Sequence, residues 1–139
     1  MTMQEDDRTI LLGMVEEMTR AKNANELMRH WAQDVLHFDT AARCLEGSGA
    51  ARAEIAAQFA QISNSGATIQ SSRCFIGGGV GVVAGIQNVW VQCADGGRQE
   101  MTVRQTDCFE KRNGQWQLVH EHISLPVGDA AALLGGEAS

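Results

Sequence analysis

An α+β fold is the class this 139-residue sequence predicts, with three N-terminal helices packed on a curved antiparallel β-sheet. Three observations predict it. Apolar residues recur at helical spacing as far as the Asn64-Ser65-Gly66 breaker, and beyond it the pattern shortens towards strands. The connections inside that second region, Gly77-Gly78-Gly79, Asp95-Gly96-Gly97 and Asn113-Gly114, are short and rich in residues that tolerate positive φ, which suits a meander. Helices followed by strands, rather than alternating with them, lead to helices covering one sheet face.

From Asp6 to Ala21, Ile10, Leu11, Met14, Val15, Met18 and Ala21 form an apolar stripe opposite Arg8, Glu16, Glu17 and Arg20, so a long amphipathic helix is expected. Asn23 with Glu26 three residues on reads as a capping box for a second helix carrying Leu27, Met28 and Trp31 and ending near Gln33-Asp34. Val35 to Asp39 reads as a short strand, and 40–49 as a loop in which Ser48 caps a third helix striped by Ile55, Phe59 and Ile62. Four long strands follow, about Thr68 to Ile76, Val80 to Cys93, Gln99 to Arg112 and Gln115 to Leu125. The expected organisation is a flexible N-terminus over 1–8, one domain over 9–126 and a fraying tail over 127–139.

A net charge of −6 argues against a nucleic-acid footprint, and no run of about 18 apolar residues is present to span a membrane. With no apolar leader at the N-terminus, a cytoplasmic protein is expected, and small molecules or proteins are its expected partners. Cys44, Cys74, Cys93 and Cys108 are widely spread without a CxxC pair, as reduced and mostly buried thiols would be.

The segments WAQDVLHFD (31–39) and RQTDCFEKRNGQWQLVHEHISLP (104–126), in this order of elements, resemble the nuclear transport factor 2-like superfamily. Within it the chain resembles SnoaL-like proteins and the association domain of calcium/calmodulin-dependent kinase II. The resemblance covers about Thr9 to Pro126 and implies a cone-shaped fold that dimerises through its sheet. It implies fold more firmly than chemistry, since such families include isomerases, cyclases, dehydratases and assembly modules. By resemblance to ketosteroid isomerase, Asp39 matches the catalytic base, and Val103, Asp107 and Phe109 match the strand that carries a protonated aspartic acid. The oxyanion-donating tyrosine has no counterpart, because the chain has no Tyr, and this argues against classical ketosteroid isomerase activity.

Met101, Val103 and Phe109 share one strand parity, so Gln105 and Asp107 fall on the same apolar face. The register of the last hairpin is ambiguous. A strict Asn113-Gly114 turn pairs Asp107 with His120, whereas one bulged residue pairs Asp107 with Glu121 and Gln105 with Ile123. The bulged register, which turns Val119 and Ile123 inward beside Phe109, agrees with the resemblance. It places Asp107 and Glu121 in one cavity with Asp39, as an acidic constellation in which repulsion keeps a carboxyl protonated. Arg104, His120 and His122 then point outward, and no metal site is expected from a bare His-x-His. Trp31, Asn88, Trp90 and Gln105 are expected to shape the ligand site, with Asn88 and Trp90 placed on the cavity face by their parity with Ile86, and His37 is a candidate to orient Asp39. The expected function is binding of a small, largely apolar carbonyl compound, with acid/base chemistry of isomerase, cyclase or dehydratase type and no cofactor. The alternative is a non-catalytic association module.

Overall fold

The computed structural model of the chain describes residues 2–41 and 43–126. Helix α1 spans Met3–Thr19, and Thr2 caps it reciprocally: the Thr2 Oγ1 accepts from the Glu5 N–H at 3.1 Å while Glu5 Oε2 accepts from the Thr2 N–H at 2.6 Å. This capping box lengthens the helix into the stretch expected to be a flexible N-terminus. Asp7 is tied down as well, accepting from Trp116 Nε1 at 2.9 Å and from Lys111 Nζ at 3.3 Å. Leu11 and Val15 supply the buried stripe of α1, with Met14 and Met18 packed beside them.

Helix α2, Ala24–Leu27, is a single turn capped by Asn23, whose Oδ1 accepts from the Glu26 N–H at 2.8 Å. It stops well short of Gln33-Asp34. Trp31, expected on this helix, instead opens strand β1, Trp31–Phe38. The reason is tertiary: β1 lies parallel to β6, and the Leu118 N–H donates to the His30 carbonyl where β1 begins. A three-residue strand β2, Cys44–Glu46, pairs with β1 inside the expected loop. Helix α3 spans Ser48–Ala60; Ser48 is its first residue, and Gly47 at φ 88° occupies the cap with no side-chain bond.

Strand β3, Ile62–Gly77, takes in both Ile62 and the Asn64-Ser65-Gly66 stretch expected to break the chain. Gly66 is needed there by close packing, since a Cβ would come 2.7 Å from the Trp90 indole nitrogen. Strands β4, Val80–Cys93, β5, Arg98–Arg112, and β6, Gln115–Ser124, follow as expected. Together they form a six-stranded sheet in the order β2-β1-β6-β5-β4-β3. It is mixed rather than purely antiparallel, because β1 runs parallel to β6.

The β5–β6 hairpin turns at Asn113 and Gly114, both at positive φ, and pairs Arg112 with Gln115. A bulge then intervenes: Phe109 pairs with Leu118, but Cys108 pairs with His120, so Val119 is the extra residue. Beyond it Asp107 faces Glu121 and Gln105 faces Ile123, the bulged register. Val119 is itself the bulge, so the fully buried Leu118 takes the place beside Phe109 expected of it. The core between helices and sheet is built from Leu11, Val35, Phe109, Leu118 and their neighbours.

Candidate functional site

Strand alternation sends Val83, Gln87, Val103, Gln105, Asp107, Phe109 and Glu121 to the helix-covered face. Four of these are polar groups that water hardly reaches: Asp107 is 1% exposed, Glu121 3%, Gln87 6% and Gln105 8%. Desolvation of that kind is tolerated only when partners replace water. Gln105 Nε2 provides them for the two acids, donating to Asp107 Oδ2 at 2.7 Å and to Glu121 Oε2 at 3.0 Å. On the far side, Glu121 Oε1 stands 3.6 Å from His37 Nδ1, which β1 delivers by its pairing of His37 with Glu121. That separation is too long for a hydrogen bond, and both His37 Nδ1 and Asp107 Oδ1 are buried without a partner.

Burial raises the Asp107 pKa to about 6, against the lowering effects of hydrogen bonds from Glu121 and Gln105. Glu121 is raised well above the carboxylate range, first by burial and then by the adjacent Asp107 charge. Burial lowers His37, against the attraction of Asp39. Both shifts favour the uncharged forms, an imidazole that gains a proton less readily beside a carboxyl that gives one up less readily.

Glu121, Gln105 and Gln87 form the polar floor of a cavity of about 330 Å³ between the ends of α1 and α3 and the sheet. Its walls include Met18, Leu27, Phe59, Val89, Met101 and Val103, and among the described residues no lysine or arginine lines it. Asp107 does not line this space. It borders a second one of about 10 Å³ behind Gln105, with Val15, Gln87 and Val83.

Gln105 therefore lies where it was expected, and Asp107 and Glu121 are brought together. Asp39 lines neither space: its Oδ1 accepts from the Ala41 and Arg43 N–H groups at 2.9 and 3.0 Å, closing the turn after β1, while its Oδ2 is buried without a partner, so of the three expected acids only Asp107 and Glu121 share the Gln105 amide. Trp31 is core rather than cavity wall, its Nε1 donating to Met18 Sδ at 3.4 Å and its ring centroid 5.2 Å from that of His37. Asn88 and Trp90 point to the opposite, outer face, as does Ile86. Inward positions on β4 belong to Gln87, Val89 and Val91. Asn88 there accepts from Thr102 Oγ1 at 3.1 Å, and Trp90 lies beneath Arg98 at 4.5 Å. The depression of about 570 Å³ around them is a broad outer surface whose Arg98 and Glu100 pair with each other at 3.0 Å. His120 and His122 also lie on this outer face, edge-on to Phe38. Of the four free thiols Cys44 is exposed and only Cys74 fully buried.

Gln87 was the residue missed: it shares the parity of Val83 and Val89, but the other side of β4 is equally apolar, so the pattern does not choose its face.

A mixed sheet closed by three helices around this cavity defines the nuclear transport factor 2-like, cystatin-like class of α+β proteins. The chain belongs to the SnoaL-like domain family, whose model matches residues 11–128. A nuclear transport factor 2-like superfamily protein from Salmonella enterica superposes with a TM-score of 0.83 at 14% identity, over 98% of this chain and 99% of that one. A candidate dehydratase of the nuclear transport factor 2-like family from Streptomyces avermitilis does so at 0.77 and 16% identity, over 88% and 99%. A candidate calcium/calmodulin-dependent protein kinase II association domain from Xanthomonas campestris gives 0.74 and 14% identity, over 89% and 88%. At these identities the likeness speaks for the fold alone. No curated protein sequence matches the chain. Among the described residues, no helix is long and apolar enough to cross a membrane.

Proposed function

We propose that this SnoaL-like chain binds a small, uncharged, largely apolar carbonyl compound in its cavity and carries out cofactor-free acid/base chemistry on it. The observation that carries this reading is the apolar-walled space of about 330 Å³ whose polar floor is Gln87, Gln105 and Glu121. An anionic ligand would enter without a cation to meet it, which is costly in an apolar site. A carbonyl oxygen, in contrast, finds a protonated carboxyl and the amide of Gln87. The Asp107–Glu121 pair, with one proton between them, suits an isomerisation or dehydration. In an isomerisation a proton leaves carbon next to the carbonyl and one is returned to another carbon of the same molecule; in a dehydration the proton goes to a β-hydroxyl, whose C–O bond breaks as the C=C bond forms and water departs, and neither reaction changes the electron count. The likeness to a candidate dehydratase is consistent with this.

Calorimetric titration with acetophenone tests the binding step. The parent protein is expected to bind it, and Ala67→Phe, which fills the cavity from β3, is expected to weaken binding at least about tenfold, or about 1.4 kcal/mol. Equal affinity in both proteins would sink the cavity reading.

The second reading, assembly, has its own observation. The outer sheet face carries Val82, Ala84, Ile86 and Cys108 only half-covered, with Phe75 49% and Val80 47% exposed. A second copy of the chain packed sheet to sheet would cover them, in keeping with the likeness to an association domain. The two readings use opposite faces and are compatible.

A further inference from the structure

The cavity reading leaves open which of the two acids meets the ligand, and geometry separates their tasks. Glu121 lines the 330 Å³ cavity, whereas Asp107 stands behind Gln105 against the small rear space. Both depend on one neutral amide, since Gln105 Nε2 spends its two hydrogens on Asp107 Oδ2 and Glu121 Oε2. An amide contributes no charge. The groups facing the pair from the surrounding elements supply little compensation. His37 from β1 stands 3.6 Å from Glu121, Asp39 closes the turn after β1, and His120 of β6 lies on the other face of the sheet. From α1 comes the apolar Val15, and from β4 the apolar Val83 and the uncharged amide of Gln87. Two carboxylates so placed, without a cation between them, cannot both ionise, so the pair keeps a proton.

We propose that Glu121 is the residue that meets the ligand, donating a hydrogen bond from its carboxyl to an uncharged oxygen, and that Asp107 is a positioning residue that acts through Glu121 by keeping the proton on it. The proposal rests on the cavity reading above for the ligand, but the relation between the two acids does not. Burial, which raises both groups, and the Asp107 charge, which raises Glu121 further, agree with the assignment. In the free protein the two carboxyls stand side by side on paired strand positions, and the Asp107 charge favours the proton on Glu121. Turning the carboxyl to a ligand oxygen leaves Asp107 ionised and held by Gln105, and the same negative charge then opposes loss of the proton from Glu121.

The test uses the full chain with its glutamate carboxyl carbons labelled with carbon-13, the Glu121 resonance being assigned by its loss in Glu121→Gln. In the parent, Glu121 is expected to titrate well above the ordinary glutamate range. In Asp107→Asn its midpoint is expected to fall by about one unit or more, a tenfold loosening of the proton. Should Asp107→Asn not fold, Asp107→Ser carries the same comparison. An unmoved midpoint, or an ordinary one in the parent, overturns the relation between the acids. Acetophenone titration at a pH where Glu121 remains protonated in every variant supplies the second readout. Asp107→Asn is expected to keep binding within about threefold while Glu121→Gln loses about tenfold. Equal losses in the two variants overturn the division of labour. Failure of acetophenone to bind even the parent would refute the cavity reading and, with it, the ligand-facing role of Glu121, while the titration still decides whether Asp107 holds the proton.

Discussion

At Asp107 the folded protein holds a proton more tightly than the unfolded chain does, and stability must reflect it. Its pKa rises from 3.8 to about 6, so its contribution is complete below 3.8 and is lost as pH rises through about 6. His37 has the opposite sign: burial lowers it from 6.5, and its contribution is complete above that value and is lost on acidification. Urea unfolding followed across this range is therefore expected to show Asp107→Asn losing less stability than the parent between about pH 4 and 6, by roughly 1–3 kcal/mol. Parallel pH curves for the two proteins would contradict the buried, proton-retaining acid. The placement of Asp107 and Gln105 was legible because Met101, Val103 and Phe109 mark their face unambiguously. The fate of Asp39 was not. Whether an Asp at a strand end faces a cavity or closes its own turn depends on backbone N–H groups, here of Ala41 and Arg43, that a residue pattern does not locate.

Among the elements, the bulge at Val119 decides what the site contains. Deleting Val119 leaves Phe109–Leu118, Cys108–His120 and Asp107–Glu121 as successive pairs of a regular ladder, so Glu121 stays inward. Inserting one alanine between Val119 and His120 while the bulge stays at Val119 pairs the alanine with Cys108, His120 with Asp107 and Glu121 with Thr106, which moves Glu121 to the outer face. Carbon-13 titration of Glu121 is expected to keep its raised midpoint in the deletion and to return to ordinary glutamate values in the insertion. The reverse outcome would show that register does not place this acid. This bulge was foreseeable because the alternative register turns two histidines towards an apolar face. Strand β4 offered no such contrast, since Val82, Ala84, Ile86 and Trp90 are apolar on one side and Val83, Val89 and Val91 on the other. Asn88 and Trp90 were placed on the wrong side for that reason. The short β2 and the early start of β1 depend on pairing between distant segments, which local propensity does not record.

For the whole molecule, the same two-sided apolar pattern in β4 fits a sheet whose inner face holds the cavity and whose outer face meets a second copy. Ala84→Arg, at the middle of the outer face, is expected to shift a sedimenting dimer towards monomer while acetophenone affinity changes less than about threefold. An unchanged dimer would remove the outer face as the interface. The inner face carries the central claim, that an uncharged carbonyl compound is held at Glu121, and the stretching frequency of the ligand's own carbonyl tests it most directly. With carbon-13-labelled acetophenone bound at saturation, a band moved to lower frequency than in an apolar solvent is predicted for the parent, together with loss of much of that displacement in Glu121→Gln. A band with no displacement in the parent, or the same displacement in both proteins, would contradict it.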